Sequence, residues 1–245
     1  MTVTSDPVTT ASTAPAPTPV TSEVPMVDLY RDIHKGIRAE LFATTVQAGA
    51  ADPSDRTARV QLAGRIEGLV ALCSSHAEHE DRWVQPAIES VLPNVAETVV
   101  ADHHSLDARI SDIHEMARVV GEGGGPRARD LVSEVYLELA SFTGAYLAHQ
   151  DLEERVVMPA LGAALGPAAV LDIHRSIVGN IPPQEMATSL ALMLPAMNVD
   201  DRTELLGGIR ADAPDEVVAG IWDLAGSALT AGDVAAVAAR LGLAS

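Results

Sequence analysis

His149-Gln150-Asp151-Leu152-Glu153-Glu154-Arg155-Val156-Val157-Met158-Pro159-Ala160-Leu161 is the second copy of a pattern that the chain has already used once. The first copy, His76-Ala77-Glu78-His79-Glu80-Asp81-Arg82-Trp83-Val84-Gln85-Pro86-Ala87-Ile88, lies 73 residues earlier and matches without a gap. Both have the form His-x-x-x-Glu-acidic-Arg-x-Val-x-Pro-Ala-aliphatic. Residues four apart share a helix face, so each copy presents one imidazole and one carboxylate side by side. That is a metal-ligand spacing.

A weaker echo precedes each copy. Tyr30-x-x-x-His34-x-x-Ile37-x-x-x-Leu41 resembles Val99-x-x-x-His103-x-x-Leu106-x-x-x-Ile110. The order is a helix with His, a helix with His-x-x-x-Glu, and then the same pair again. Duplicated helical hairpins build a four-helix bundle with facing ligands.

The apolar periodicity places these residues on inward faces. The first helix is expected over Asp28 to Gln47, with Leu29, Ile33, Ile37 and Leu41 around His34. Asp52-Pro53 resembles an N-cap followed by a first-turn proline, and the second helix carries the seam Leu62, Ile66, Leu69, Cys73, His76, Glu80 and Trp83. A turn at Pro93-Asn94 leads into the third helix. There His103 and His104 are adjacent, so only one can face inward. The seam Val99, His103, Leu106, Ile110, Ile113 and Ala117 selects His103 and leaves His104 and His114 outside. Gly121 to Pro126 breaks the chain, and the fourth helix carries Val135, Leu139, Phe142, Tyr146, His149, Glu153 and Val156 before ending near Leu165-Gly166-Pro167.

The expected architecture is all-α: a Thr/Pro/Ala-rich disordered tail over 1–25, an up-down four-helix bundle over 26–165, and a small helical appendage over 166–245. Within the appendage, helices are expected over Gln184 to Leu194, Asp215 to Leu229 and Asp233 to Leu241.

Composition narrows the function classes. A net charge of −18, from 34 acidic and 16 basic residues, repels nucleic acid and offers no polybasic membrane contact. The single cysteine, Cys73, allows no intrachain disulfide and no Cys-x-x-Cys site, so a metal must be held by His and carboxylate. The N-terminus lacks the basic cluster of a signal peptide and no apolar run is long enough to span a bilayer, so a soluble, cytoplasmic protein is expected.

Histidines and glutamates in a helical seam can simply satisfy one another. Four imidazoles and two carboxylates converging in one core carry a desolvation cost of about several kcal/mol per unpaired group, which a bound cation offsets. Six nitrogen and oxygen ligands exceed one closed tetrahedral zinc site and suit iron, or else manganese. Glutamates on opposite helices can each bridge two ions, leaving two histidines for each.

The set His34, His76, Glu80, His103, His149 and Glu153 resembles the hemerythrin-like, or HHE cation-binding, family, with a His on helix one, His-x-x-x-Glu on helix two, His on helix three and His-x-x-x-Glu on helix four. The resemblance covers about residues 26 to 165. It implies a pair of non-haem irons joined by an oxo or hydroxo bridge, a small diatomic ligand or peroxide as partner, and roles in oxygen binding, oxidative-stress sensing or peroxide decomposition like that of a catalase. One departure stands out. The oxygen carriers of the family have His-x-x-x-His on helix three, and here Asp107 follows His103 at that spacing. Fewer histidines leave the irons more open, which favours peroxide, nitric oxide or oxygen-sensing chemistry over reversible carriage. A second reading is a non-enzymatic iron or oxygen sensor that signals to a protein partner through its C-terminal helices. Ferritin-like bundles use Glu-x-x-His, and no histidine here has Glu three residues before it.

Overall fold

The computed structural model describes residues 26–123 and 125–243, so the expected N-terminal tail lies outside the described residues. The described residues are helical and contain no strand. The four long helices of the bundle are α1 (Arg31–Ala50), α2 (Arg56–Trp83), α4 (Pro93–Glu122) and α5 (Ala128–Leu152), with a short α3 (Gln85–Val91) between the second and third of them. Each long helix touches two others: α1 packs on α2 and α5, and α4 packs on α2 and α5. Sequential helices joined by short connections must run antiparallel, which gives the up-down bundle.

Helix starts follow local chemistry. Asp28 accepts from the backbone N–H of Tyr30 and Arg31, both at 3.0 Å, so α1 begins two to three residues later than Asp28 itself. The second helix also begins later than expected. Asp55 is its cap, accepting from Thr57 N, while Asp52 folds back onto Ser54 to make the preceding turn. Buried Arg59 donates to the carbonyls of Pro53, Val120 and Gly123, tying that turn to the far end of α4.

Two apolar clusters fill the bundle. One holds Ile37, Leu41, Leu69, Cys73, Leu106, Ile110, Phe142 and Tyr146; the other holds Tyr30, Val84, Ile88, Val99, Val157 and Leu161. Along each helix the polar residues fall between them: His34 between Tyr30 and Ile37, His103 between Val99 and Leu106. The candidate ligands thus form one polar layer between two apolar clusters.

Both copies of the duplicated pattern break helical regularity just after their glutamate. In the first, α2 stops at Trp83 and α3 restarts at Gln85; in the second, Glu153–Val157 form a π turn, with Met158 N donating to Glu153 O. Pro86 and Pro159 explain the location, because proline has no N–H to give the preceding turn. The break also overturns two seam expectations. Val156 is 44% exposed and Trp83 only half-buried, while the next residues, Val157 and Val84, are buried. An interrupted ladder advances the inward position by one residue.

The fourth helix is interrupted at Gly166, where the sequence places its end. Helix α6 (Met158–Asn180) comprises two helical pieces that meet at a kink, with Gly166 at the non-helical φ 76°, ψ 169° and Pro167 opening the second piece. By length and composition Ala128–Asn180 is apolar enough to cross a membrane, contrary to the expectation that no such run exists, and the Gly166 kink divides it. It also carries the buried His149 and Glu153.

Beyond α6 come α7 (Pro183–Ala196), α8 (Val199–Asp212), α9 (Asp215–Ala228) and α10 (Ala231–Arg240). The sequence gives three of these as examples of the helical pieces and puts a division at Gly207-Gly208, which the structure places inside α8. In the structure both glycines are inside the helix, and a Cβ on Gly207 would sit 3.1 Å from Leu241, so α10 approaches closely there. Asn198 caps α8 through the N–H groups of Asp200 and Asp201. Leu194, Leu206, Ala225 and Val237 form the core of this unit, and α7 lies along α1.

Candidate metal centre

The structure brings all six residues singled out in the sequence into one buried layer. Nε2 of His34 faces Nε2 of His76 at 3.1 Å, and Nε2 of His103 faces Nε2 of His149 at 3.1 Å. The glutamates divide their oxygens between the pairs. Glu80 Oε1 lies 3.1 Å from His76 and 3.8 Å from His34, while its Oε2 lies 3.4 Å from His103. Glu153 Oε2 lies 3.4 Å from His34, and its Oε1 lies 3.3 Å from His149 and 3.9 Å from His103. Two four-residue groups result, His34, His76, Glu80, Glu153 and Glu80, His103, His149, Glu153, each with ligand atoms within 4.8 Å of one another.

Whether such a layer suits a cation is decided by its hydrogen bonds. All four carboxylate oxygens of Glu80 and Glu153 are buried without a hydrogen-bond partner, although imidazole nitrogens lie nearby. The atoms converge on common centres rather than on one another. An orphaned buried carboxylate is costly, and a cation at each centre satisfies it. The donor set fits.

Charge within the layer points the same way. Burial lowers the pKa of His34, but its contacts with Glu154 and Glu80 and the charge of Glu153 outweigh that and hold it at about 9. His103 behaves likewise, with burial opposed by Glu80 and Asp81, and also stands at about 9. His76 has no such outer partner, and burial drops it to about 3. Burial and the nearby charge of Glu80 push Glu153 up; burial also acts upward on Glu80, but His76, His103 and His34 hold it down. Positive charge is favoured at each centre, and on two of the histidines a proton supplies it when protein groups act alone.

The sequence reading quotes the acidic residue after each ligand glutamate without giving it a role. The structure supplies one. His34 Nδ1–H donates to Glu154 Oε1 at 3.0 Å, and His103 Nδ1–H donates to Asp81 Oδ1 at 2.7 Å. Each copy therefore orients the histidine of a neighbouring helix and turns its Nε2 inward. Glu154 is itself held by Arg38 through two hydrogen bonds of 2.7 and 3.0 Å. Asp102 stands 3.5 Å from His149 Nδ1. The signal for Asp81 and Glu154 was their repetition in both copies; Arg38 and Asp102 carry no such mark.

Other candidates fall away from the layer. His104 and His114 are exposed, as the face argument requires, and neither they, His79 nor Asp107 belongs to the clustered groups. Tyr30 and Tyr146 are buried, with rings 5.2 Å from His34 and 6.1 Å from His149. Cys73 is buried, and burial raises its thiol pKa to about 12, which makes it inert at neutral pH.

Against known proteins, the profile of the Hemerythrin HHE cation binding domain family matches residues 26–177, well over half of the chain. The chain belongs to this family. It is a metal-binding helical bundle of the hemerythrin type, in keeping with the six converging His and Glu side chains and their orphaned carboxylates. A curated relative, the zinc finger protein BRUTUS-like of Arabidopsis thaliana, is 27% identical over 138 residues, covering 56% of this chain and 11% of that protein. The chain thus spans about a tenth of the relative it matches. No solved structure matches.

Proposed function

We propose that this hemerythrin-family chain is a non-haem diiron protein that binds oxygen, peroxide or nitric oxide and serves redox sensing or detoxification. The observation that carries the reading is the division of Glu80 and Glu153 between the two histidine pairs, since a carboxylate with one oxygen on each side would help to hold two ions at once. Imidazole and carboxylate donors together suit iron, with manganese as the competitor. A bound iron pair would supply electrons and Lewis acidity for oxygen or peroxide chemistry.

The chain contributes position and exclusion. His34 and His103 are locked by Glu154 and Asp81, so their rings are already turned with Nε2 inward. The apolar clusters on either side keep bulk water from the layer. Arg38 neutralises Glu154, which limits the negative charge around the His34 half. Activity of the catalase kind is the enzymatic form of this reading.

A non-enzymatic sensor is the second reading, favoured by the seating of α7. A Cβ on Gly36 would meet Met193 at 3.3 Å, and Glu185 accepts from Ser75 Oγ. The C-terminal helices therefore touch α1 and α2 within two residues of His34 and His76, where a change in the layer would reach them.

The deciding experiment measures iron content and the near-ultraviolet and visible spectrum of the iron-supplemented protein beside His149→Ala/Glu153→Ala. Two irons per chain, with oxo-bridge bands lost in the variant, support the reading. A folded helical protein without bound iron sinks it. Peroxide turnover then separates enzyme from sensor.

A further inference from the structure

We propose that a second copy of this chain docks on the outward side of α6, with the two helices antiparallel, so that Arg155 and Asp172 of one copy meet the partner's Asp172 and the partner's Arg155. This contact is independent of the diiron reading above, because its residues lie outside the clustered His and Glu groups.

Val156 to Leu171 holds no charged residue, and only 22% of the most apolar stretch of Ala128–Asn180 is buried. Both pieces of α6 turn one side to the same apolar cluster: Leu161 before the Gly166 kink and Val170 after it are fully buried there. The opposite side of each piece faces outward. Pro159, Ala163 and Ala168 are exposed on it, and Val156 is 44% exposed. This side is apolar and uncovered by the described residues, and its small side chains let another helix come close.

Charge decides what covers it. A chain of net charge −18 repels its own copies, except where a neutral stretch is bracketed by charges that match in reverse. The order here is Asp151, Arg155, the neutral stretch, Asp172 and Arg175, with all four side chains 61% to 78% exposed. Arg155 and Asp172 lie equally far in sequence from the point between Ala163 and Ala164. A twofold axis through that point sets Arg155 against the partner's Asp172, and Asp151 against the partner's Arg175. Parallel helices would set like charge on like. Within one copy the same groups form the exposed pairs Asp151–Arg155 at 2.5 Å and Asp172–Arg175 at 3.6 Å, which cost little to exchange for pairs across the axis. A bilayer would accept the neutral stretch and leave this order of charges without a role.

Sedimentation of the full chain over a range of concentrations is expected to show a monomer–dimer equilibrium. Ala163→Glu places two carboxylates beside the axis, and Arg155→Glu sets carboxylate against carboxylate twice, so each is expected to weaken the dimer at least about tenfold. Combining Arg155→Glu with Asp172→Arg restores opposite charges and is expected to tighten the dimer at least about threefold over Arg155→Glu alone. All three positions are exposed, and circular dichroism checks that each variant keeps its helices. A chain that stays monomeric at every concentration overturns the proposal, whether or not it binds neutral lipid vesicles. So does a dimer that either single variant weakens less than tenfold, or a charge swap that falls short of the threefold recovery. None of these measurements needs iron, so a chain without bound iron defeats the diiron reading and leaves the dimer to be judged by itself.

Discussion

The two halves of the metal layer grow from one duplicated sequence pattern and end in different surroundings. The cation-facing atoms are nearly interchangeable: two Nε2 atoms 3.1 Å apart and an oxygen from each glutamate, on both sides. The outer contacts are not. The His34 side has a carboxylate clamped by Arg38 and a helix seated on its back, whereas the His103 side has an unclamped, half-exposed Asp81 and a cavity. The duplicated positions place the same donor atoms in both halves. The neighbours were free to diverge, so they decide how each half behaves.

Removing a bridge tests the shared part and has the largest effect. Glu80→Ala deletes oxygens that face both pairs, so both ions should be lost, whereas His76→Ala should cost one; metal analysis of the purified variants distinguishes the outcomes. Retention of both ions in Glu80→Ala would break the equivalence of the halves.

The outer carboxylates sharpen the contrast. Glu154→Gln and Asp81→Asn each unlock one ligand histidine, with an expected loss of about 10- to 100-fold in metal affinity. Competition with a chelator should show the greater loss for Glu154→Gln, because it also strands the Arg38 guanidinium.

Proton competition gives a third test. His34 and His103 stand at about 9 against an ordinary 6.5, so in chelated protein both hold protons that an ion must displace. Their raised pKa values stabilise the metal-free fold fully below pH 6.5, and that contribution disappears as pH rises through 9. Between those limits the melting temperature of chelated protein should fall while metal affinity climbs. A pH-independent affinity across the window would contradict the charge pattern of the layer.

The smallest effect is expected outside both halves. His104→Ala and His114→Ala should leave metal content unchanged and shift stability by no more than about 0.5 kcal/mol in a denaturant titration.

Much of this was legible in the chain because helical spacing is a strong signal. His103 was separated from His104 by its seam alone, and the six clustered residues were all named from periodicity and repetition. What escaped depends on contacts between distant residues. Nothing local to Arg38 indicates that it meets Glu154 across the bundle, and nothing near Gly207 shows that the Leu241 side chain packs against it. Val156 and Trp83 were misplaced because a 3.6-residue period assumes an unbroken ladder, and each copy interrupts it one turn before its proline.

Those interruptions give the glutamates an unusual mechanical setting. Glu80 lies in the last turn of α2 and Glu153 opens a five-residue wide turn, so neither is braced by a regular helix on both sides. A backbone that already lacks some of its ladder bends at lower cost than one that has them all. Each carboxylate could then slide or rotate to suit the cations it would hold, while His34 and His103, pinned from without by Glu154 and Asp81, keep their place.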